Sequence, residues 1–409
     1  MFIFNIDDFH DIHEKRRPDA TFLSTVKHFA SCIAKKVECH PVSAMNEQVS
    51  IHNPNNIEAH KIQHYLINKY KGTFDISYQS RKNEWITKDL HIFNSFDDDD
   101  LLSIHVYSDA IKGKHEERSM KDVRIIGLQE RSLHSLEDYI EAASMITDIS
   151  ELSEYLLQNV IPVVADFPGQ LFIRKAITLL NNQGEMNTNI PKIMQNFVPL
   201  LGPLHVSLNS REQTLLVHYN FFEKMFHYVF GNSKVLAKKP KPWRINLLLE
   251  LATKGWKKIS KIIMHKFGTS KDVEYRMALD LLDNIIPATL DIYAILFRSG
   301  KFEEYLETLF RIWTFALRWK RKNYNKIILA FISDYIYWKE NQHPFANVLE
   351  NHLVNFNEYY VENFHSRLRA NINVNQNAES IINQALVIGK FKYIYIYNTN
   401  IKEMNLLIF

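Results

Sequence analysis

The chain has 409 residues, 46% of them apolar, with 11 glycines and 12 prolines, a composition that can bury a core over two or three folding units and excludes a mainly disordered chain. Its 49 basic and 46 acidic residues leave a formal charge of +3, so overall charge selects no partner and only local clustering can argue for nucleic acid. Two cysteines, Cys32 and Cys39, are too few for a disulfide scaffold and fit a reducing compartment, no apolar run free of charge reaches membrane-spanning length, and the N-terminus lacks a signal peptide's basic start and cleavage site.

Residues 2–6 (Phe-Ile-Phe-Asn-Ile) read as a strand running into Asp7 and Asp8, which puts the start of the sequence inside a domain or close to its edge. His10, His13 and a basic turn at 15–18 follow, with His13 beyond the strand, and 22–38 reads as one or two further strands. Ile57 to Tyr70 has helical spacing. Strands are expected at 74–78, 101–107 and 123–127, and the four aspartates 97–100 form either a solvated loop or a cation site. Leu136 to Leu157 reads as a helix.

The stretch Ile161 to Gln170 organises the rest. A β-branched apolar run ends in Asp166, then Pro168 and Gly169 break it, and Leu171 to Leu180 reads as a helix. Asp166 therefore leaves a buried strand, where a carboxylate needs a metal, a cation or water to face it. Phe197 to Asn209 is a second apolar segment of strand length. From 213 to about 388 the periodicity is helical: Leu215 to Phe230, Arg244 to Phe267, Val273 to Phe297, Phe302 to Trp319, Lys326 to Lys339 and Phe345 to His365, with breaks at Gly231, Gly268, Gly300 and Pro344. The tail after 390 alternates aromatic and β-branched residues, as a last strand or as translated noncoding sequence would.

Asp7, Asp166 and Glu362 form the first set that could carry chemistry. Two-metal phosphoryl transfer needs carboxylates from separate elements converging on cations about 4 Å apart. Ribonuclease H-like nucleases and transposases supply them from a first strand, the end of a later strand and a helix, an order that this chain can match. Without cations, Asp7 and Asp166 would cap turns and Glu362 would pair with Arg367 or Arg369.

The segments Phe4–His10, His40–Met45, Ala165–Gln170, Gly202–Glu212 and Tyr360–Ser366 resemble those of a fungal family of unknown function that is similar to the core of a DNA transposon's protein. The likeness runs over residues 2–389. It implies a ribonuclease H-like (DDE-type) mixed α/β core over 1–212, a large all-helical insertion over 213–344 and returning helices carrying the last acid over 345–389; the low-complexity tail over 390–409 lies outside it. It also implies metal-dependent DNA cleavage and strand transfer, with Asp7, Asp166 and Glu362 as catalytic acids holding Mg²⁺ or Mn²⁺, DNA as partner, an oligomer as an option, and the nucleus as location. Asp8 can replace Asp7 as first acid. Cut-and-paste transposases carry a DNA-binding module ahead of the catalytic fold, and no such segment precedes residue 2. A decayed copy, inactive but still binding nucleic acid or serving as a scaffold, is the alternative.

Two further sets remain. His10 and His13 could share a metal with Asp7 or Asp8 in a mononuclear hydrolase, while His205 and His365 could orient carboxylates or phosphate, or make structural hydrogen bonds. Lys238, Lys239, Lys241 and Arg244 beside Trp243, and Lys320 and Arg321 beside Trp319, combine cations with aromatic faces as a DNA groove would. A solvated helix face with core tryptophans is the plain alternative for both.

Overall fold

The computed structural model describes residues 1–13, 25–44, 49–74, 115–183, 190–287, 292–373 and 376–390. The basic turn at 15–18, the aspartates 97–100, the expected strands over 75–78 and 101–107 and the tail after 390 lie outside these residues. No described helix is long and apolar enough to cross a membrane.

Five strands, β1 (Phe2–His13), β2 (Thr25–Lys36), β3 (Val123–Glu130), β4 (Ile161–Ala165) and β5 (Phe197–Leu201), form a mixed sheet in the order β3-β2-β1-β4-β5. β1 pairs antiparallel with β2, β2 antiparallel with β3, and β1 parallel with β4. β1 runs past its expected end at residue 6, because β2 meets its residues in register from Phe2↔Lys36 to His13↔Thr25. Polar side chains do not end a strand whose partner continues to supply backbone hydrogen bonds. Asp7 and Asp8 thus lie within a strand, and His13 ends it rather than lying beyond it.

Alternation along β1 feeds two cores. Phe2, Phe4 and Ile6, with Ala30, Cys32 and Ala34 of β2, pack against α1 (Leu136–Thr147) and α2 (Phe167–Gln183). Phe9, Phe29 and Ile33 pack against α3 (Tyr359–Asn371) and α4 (Ala378–Lys390) through Tyr360, Val361, Phe364, Leu368, Ile381 and Ala385. Burying each of the Phe, Ile, Leu and Val side chains among them is worth about 1.5–3 kcal/mol, which holds a helical layer on each face. A capping box between Ser135 and Asp138 starts α1. The expected helix 136–157 breaks at Asp148 and resumes as Ser153–Gln158.

These elements belong to one compact unit, Met1–Ile51, Met120–Leu200 and the chain from Asn357; a second unit comprises His52–Ser119 and Leu201–Phe356. These units divide the chain at 51/52, 119/120, 200/201 and 356/357. Residues 197–209 are not one strand: β5 stops at Leu201, and Gly202 caps a helix, Pro203–Val217, with Pro203 in its first turn. Proline's fixed φ suits that position and its missing N–H is not needed there. Tyr293 Oη donates to Pro203 O at 3.1 Å within the helical unit. Two expected helices are also shorter. Val273–Asp280 passes into a wider turn over Leu281–Ile285, and Pro344–His352 ends before α3 begins.

A candidate metal centre on the sheet

Asn5, Asp7 and Phe9 share one face of β1, the face under α3. Asn5 is fully buried, and its Nδ2 donates to Val164 O and Asn357 O, each at 3.2 Å. One side chain thereby ties β1 to β4 and to the residue that opens α3, where Asn357 Oδ1 accepts from Tyr359 N at 3.0 Å. Glu362 and His365, three apart, point the same way from α3. Asp7, Glu362 and His365 each offer one ligand atom, and these atoms lie within 4.8 Å of one another.

His365 is 1% exposed. Its Nε2 lies 2.7 Å from Ser31 Oγ, and Ser31 Oγ donates to Asp7 O at 2.9 Å. Asp7 and Ser31 are direct partners across β1 and β2, which is why one serine reaches both. His365 Nδ1 faces Asp7 Oδ2 at 3.8 Å. Burial, then the charges of Arg369 and His10, push the imidazole down to about 3, so the ring is neutral at physiological pH. Phe9 packs against it with ring centroids 5.1 Å apart.

Asp166 stands one residue beyond β4. The paired register ends at Asn5↔Val164, two residues short of Asp166. Asp166 Oδ1 also accepts from Gly169 N at 3.0 Å and so caps α2. It is not in the set within 4.8 Å, yet its charge and that of Asp7 both reach Tyr139, whose phenol is pushed up by burial first, then by Asp166, Asp7 and Asp8.

Strand alternation separates the two candidates for first acid. Asp8 faces α1 and α2 and pairs with His28 Nδ1 at 2.9 Å, so Asp7 alone joins the cluster. His10 is exposed, with its ring 6.1 Å from that of His28, and takes no part in the cluster; the side chain of His13 lies outside the described residues. His205 lies on the helix Pro203–Val217 of the second unit, not at the end of a strand. Reading by sequence missed Ser31, which carries no signal, and placed His365 behind the carboxylates; the Glu362-x-x-His365 spacing on one helix was the available clue.

Both basic stretches lie in the second unit. Lys238, Lys239 and Lys241 are exposed, while Leu236 is buried and its carbonyl accepts from Tyr219 Oη at 2.7 Å, which pins the loop with its charges outward. Trp243 is 59% exposed, and the Arg244 guanidinium sits 4.4 Å from its ring centroid. Trp256, by contrast, is a core residue donating to Asp283 Oδ1 at 2.7 Å. Lys320 and Arg321 line a cavity of about 340 Å³ with Phe315, Trp319, Tyr324 and Asn209. Lys320 has φ 55°. It follows the helix Phe302–Arg318 at the left-handed position of a Schellman turn, in which Lys320 N donates to Leu317 O and Arg321 N to Ala316 O.

Comparison with family models, with curated proteins and with solved structures finds no match.

Proposed function

We propose that this chain is a ribonuclease H-like, transposase-like protein that cleaves DNA and transfers strands with Mg²⁺ or Mn²⁺ held by Asp7, Asp166 and Glu362, and that it works in the nucleus. The observation that carries this reading is the convergence of Asp7 from β1 and Glu362 and His365 from α3 within 4.8 Å, with Asp166 one residue beyond β4. Carboxylates brought together from a first strand, a later parallel strand and a late helix are what two-cation phosphoryl transfer requires. The donor set suits a cation: the converging carboxylates of Asp7 and Glu362 offer negative charge and lone pairs. When bound, the metal would polarise a phosphate and activate water or a 3′ hydroxyl. The chain's own residues set the geometry. Asn5 fixes the start of α3 over the sheet, Ser31 orients His365, and Gly169 N holds Asp166. Exposed Lys238, Lys239 and Lys241 would contact phosphates, and Trp243 and Trp319 offer faces for unpaired bases.

The test is incubation of the full chain with labelled DNA duplex and Mg²⁺ or Mn²⁺. Metal-dependent cleavage is expected, and it should fall by about a hundredfold or more in Glu362→Gln, the scale of losing a preorganised charge-stabilising group. One observation favours a catalytically inactive binding protein or scaffold: capping of α2 accounts for Asp166 without a cation. Retained DNA binding with no cleavage in either metal would establish that alternative.

A further inference from the structure

We infer that His365 is itself a metal ligand through Nδ1, made one by Ser31, and that the centre therefore favours first-row transition ions over Mg²⁺. The inference rests on the metal-centre reading above and adds a ligand and a selectivity to it.

Counting protons around Ser31 carries the case. Its hydroxyl has one proton. Asp7 O, a main-chain carbonyl 2.9 Å away, can only accept, and both contacts of Ser31 are hydrogen bonds together only when the proton goes there. The 2.7 Å contact with His365 Nε2 must then be a bond that the ring donates. A neutral imidazole has one N–H, and here it is spent on Ser31, which leaves Nδ1 with its lone pair. Nδ1 faces Asp7 Oδ2 at 3.8 Å, beyond hydrogen-bond reach and with an acceptor on each side. A second proton would charge a ring that is 1% exposed. A buried nitrogen lone pair facing a carboxylate oxygen is the arrangement a divalent ion satisfies, with Ser31 setting the tautomer from behind.

The spacing agrees. Ligands about 2.2 Å from one ion lie at most about 4.4 Å apart. The Nδ1 to Oδ2 separation already fits, and the widest separation within the 4.8 Å set has to close by a few tenths of an ångström at most. Mg²⁺ takes oxygen ligands and keeps its waters. An imidazole in the set shifts preference toward Mn²⁺, Fe²⁺ and Zn²⁺.

Mn²⁺ is the probe, titrated into the full chain under electron paramagnetic resonance, with pulsed measurement of coupling to a directly bound nitrogen. Wild type should show one nitrogen coupling. In His365→Gln the coupling should vanish while Mn²⁺ stays bound to the carboxylates, with the Mn²⁺ over Mg²⁺ affinity ratio lowered about tenfold or more. Ser31→Ala frees the ring to adopt the other tautomer, and should weaken Mn²⁺ binding about tenfold and reduce the coupling. Ser31→Thr keeps the hydroxyl and should retain both. Mn²⁺ bound without nitrogen coupling in wild type would overturn the ligand role and leave the carboxylate centre standing. No bound Mn²⁺ at millimolar concentration would overturn both. Full coupling and affinity in Ser31→Ala would remove Ser31 from the mechanism.

Discussion

A pair of substitutions can separate the cap that Asp166 makes from the metal-ligand role proposed for it. Its Oδ1 accepts from Gly169 N at 3.0 Å and caps α2, and the proposed function also makes it a metal ligand. Losing an N-cap costs about 1 kcal/mol, within a range of about 0.5–2, and losing a negative charge at a helix N-terminus about 0.3–1 kcal/mol. Asp166→Ala should therefore destabilise the metal-free chain by about 1–2 kcal/mol. Asp166→Asn keeps an equivalent cap acceptor and should cost only the smaller charge contribution. Metal reverses the ranking of causes. Mn²⁺ at a hundredfold over its dissociation constant stabilises a folded protein by about 2.7 kcal/mol, and a ligand's loss removes most of that gain whichever residue replaces it. Urea denaturation of wild type, Asp166→Asn and Asp166→Ala, each with and without Mn²⁺, reads both quantities. If Asp166→Asn keeps the whole Mn²⁺ gain, Asp166 is a cap and nothing more.

Gly169 lies in α2, where an added Cβ would come 2.5 Å from Ala165 Cβ and 3.3 Å from Tyr139 Cε1. Gly169→Ala should destabilise by about 1–3 kcal/mol from overpacking, less about 1 kcal/mol of helix preference, and Ala165→Gly in the same chain should recover part of it; a gain in stability from Gly169→Ala in denaturant would contradict the packing. His343 is 2% exposed and its Nδ1 accepts from Phe345 N at 3.2 Å. Burial, then His52, lowers its pKa. Because the folded value lies below the unfolded one, the contribution is complete above the ordinary histidine range and is lost as pH falls from there toward the folded value. Melting temperature should drop on acidification, and drop less in His343→Asn, which keeps an acceptor and does not titrate; parallel curves would show that His343 contributes nothing. Lys320→Gly should raise stability by about 1 kcal/mol, since glycine suits the left-handed turn, while lowering the salt dependence of duplex binding by about 0.9 in log–log slope, the loss of one phosphate contact. An unchanged slope would take Lys320 off the DNA surface.

Local pattern alone carries much of the architecture. β4 is buried at every position from Ile161 to Ala165, so it shows no alternation and is legible instead from its β-branched apolar run, with Pro168 and Gly169 marking where the chain turns into α2. The helical periods after 213 were legible because an apolar stripe repeats wherever a helix packs on one side. Strand ends were less legible. Asp7 and Asp8 looked like an exit because charge usually leaves a core, and only β2, paired along the whole of β1, shows that the strand continues beneath them. Gly202 and Pro203 hid a helix start inside an apolar run.

The site divides in the same way. Residue types and their order made Asp7, Asp166 and Glu362 candidates, although turn capping and pairing with arginine explained them equally well by sequence, and it was the resemblance that favoured a shared site. Which of Asp7 and Asp8 faces α3 depends on the phase of the strand against the sheet's two covered faces, a quantity that a two-residue alternation cannot state until one face is known. His365 and Ser31 are 334 residues apart, and their bond exists only because β2 runs beside β1 and α3 lies across both. Residue chemistry therefore determined which groups could hold a cation, and the crossing of α3 over β1 and β2 decided which of them meet.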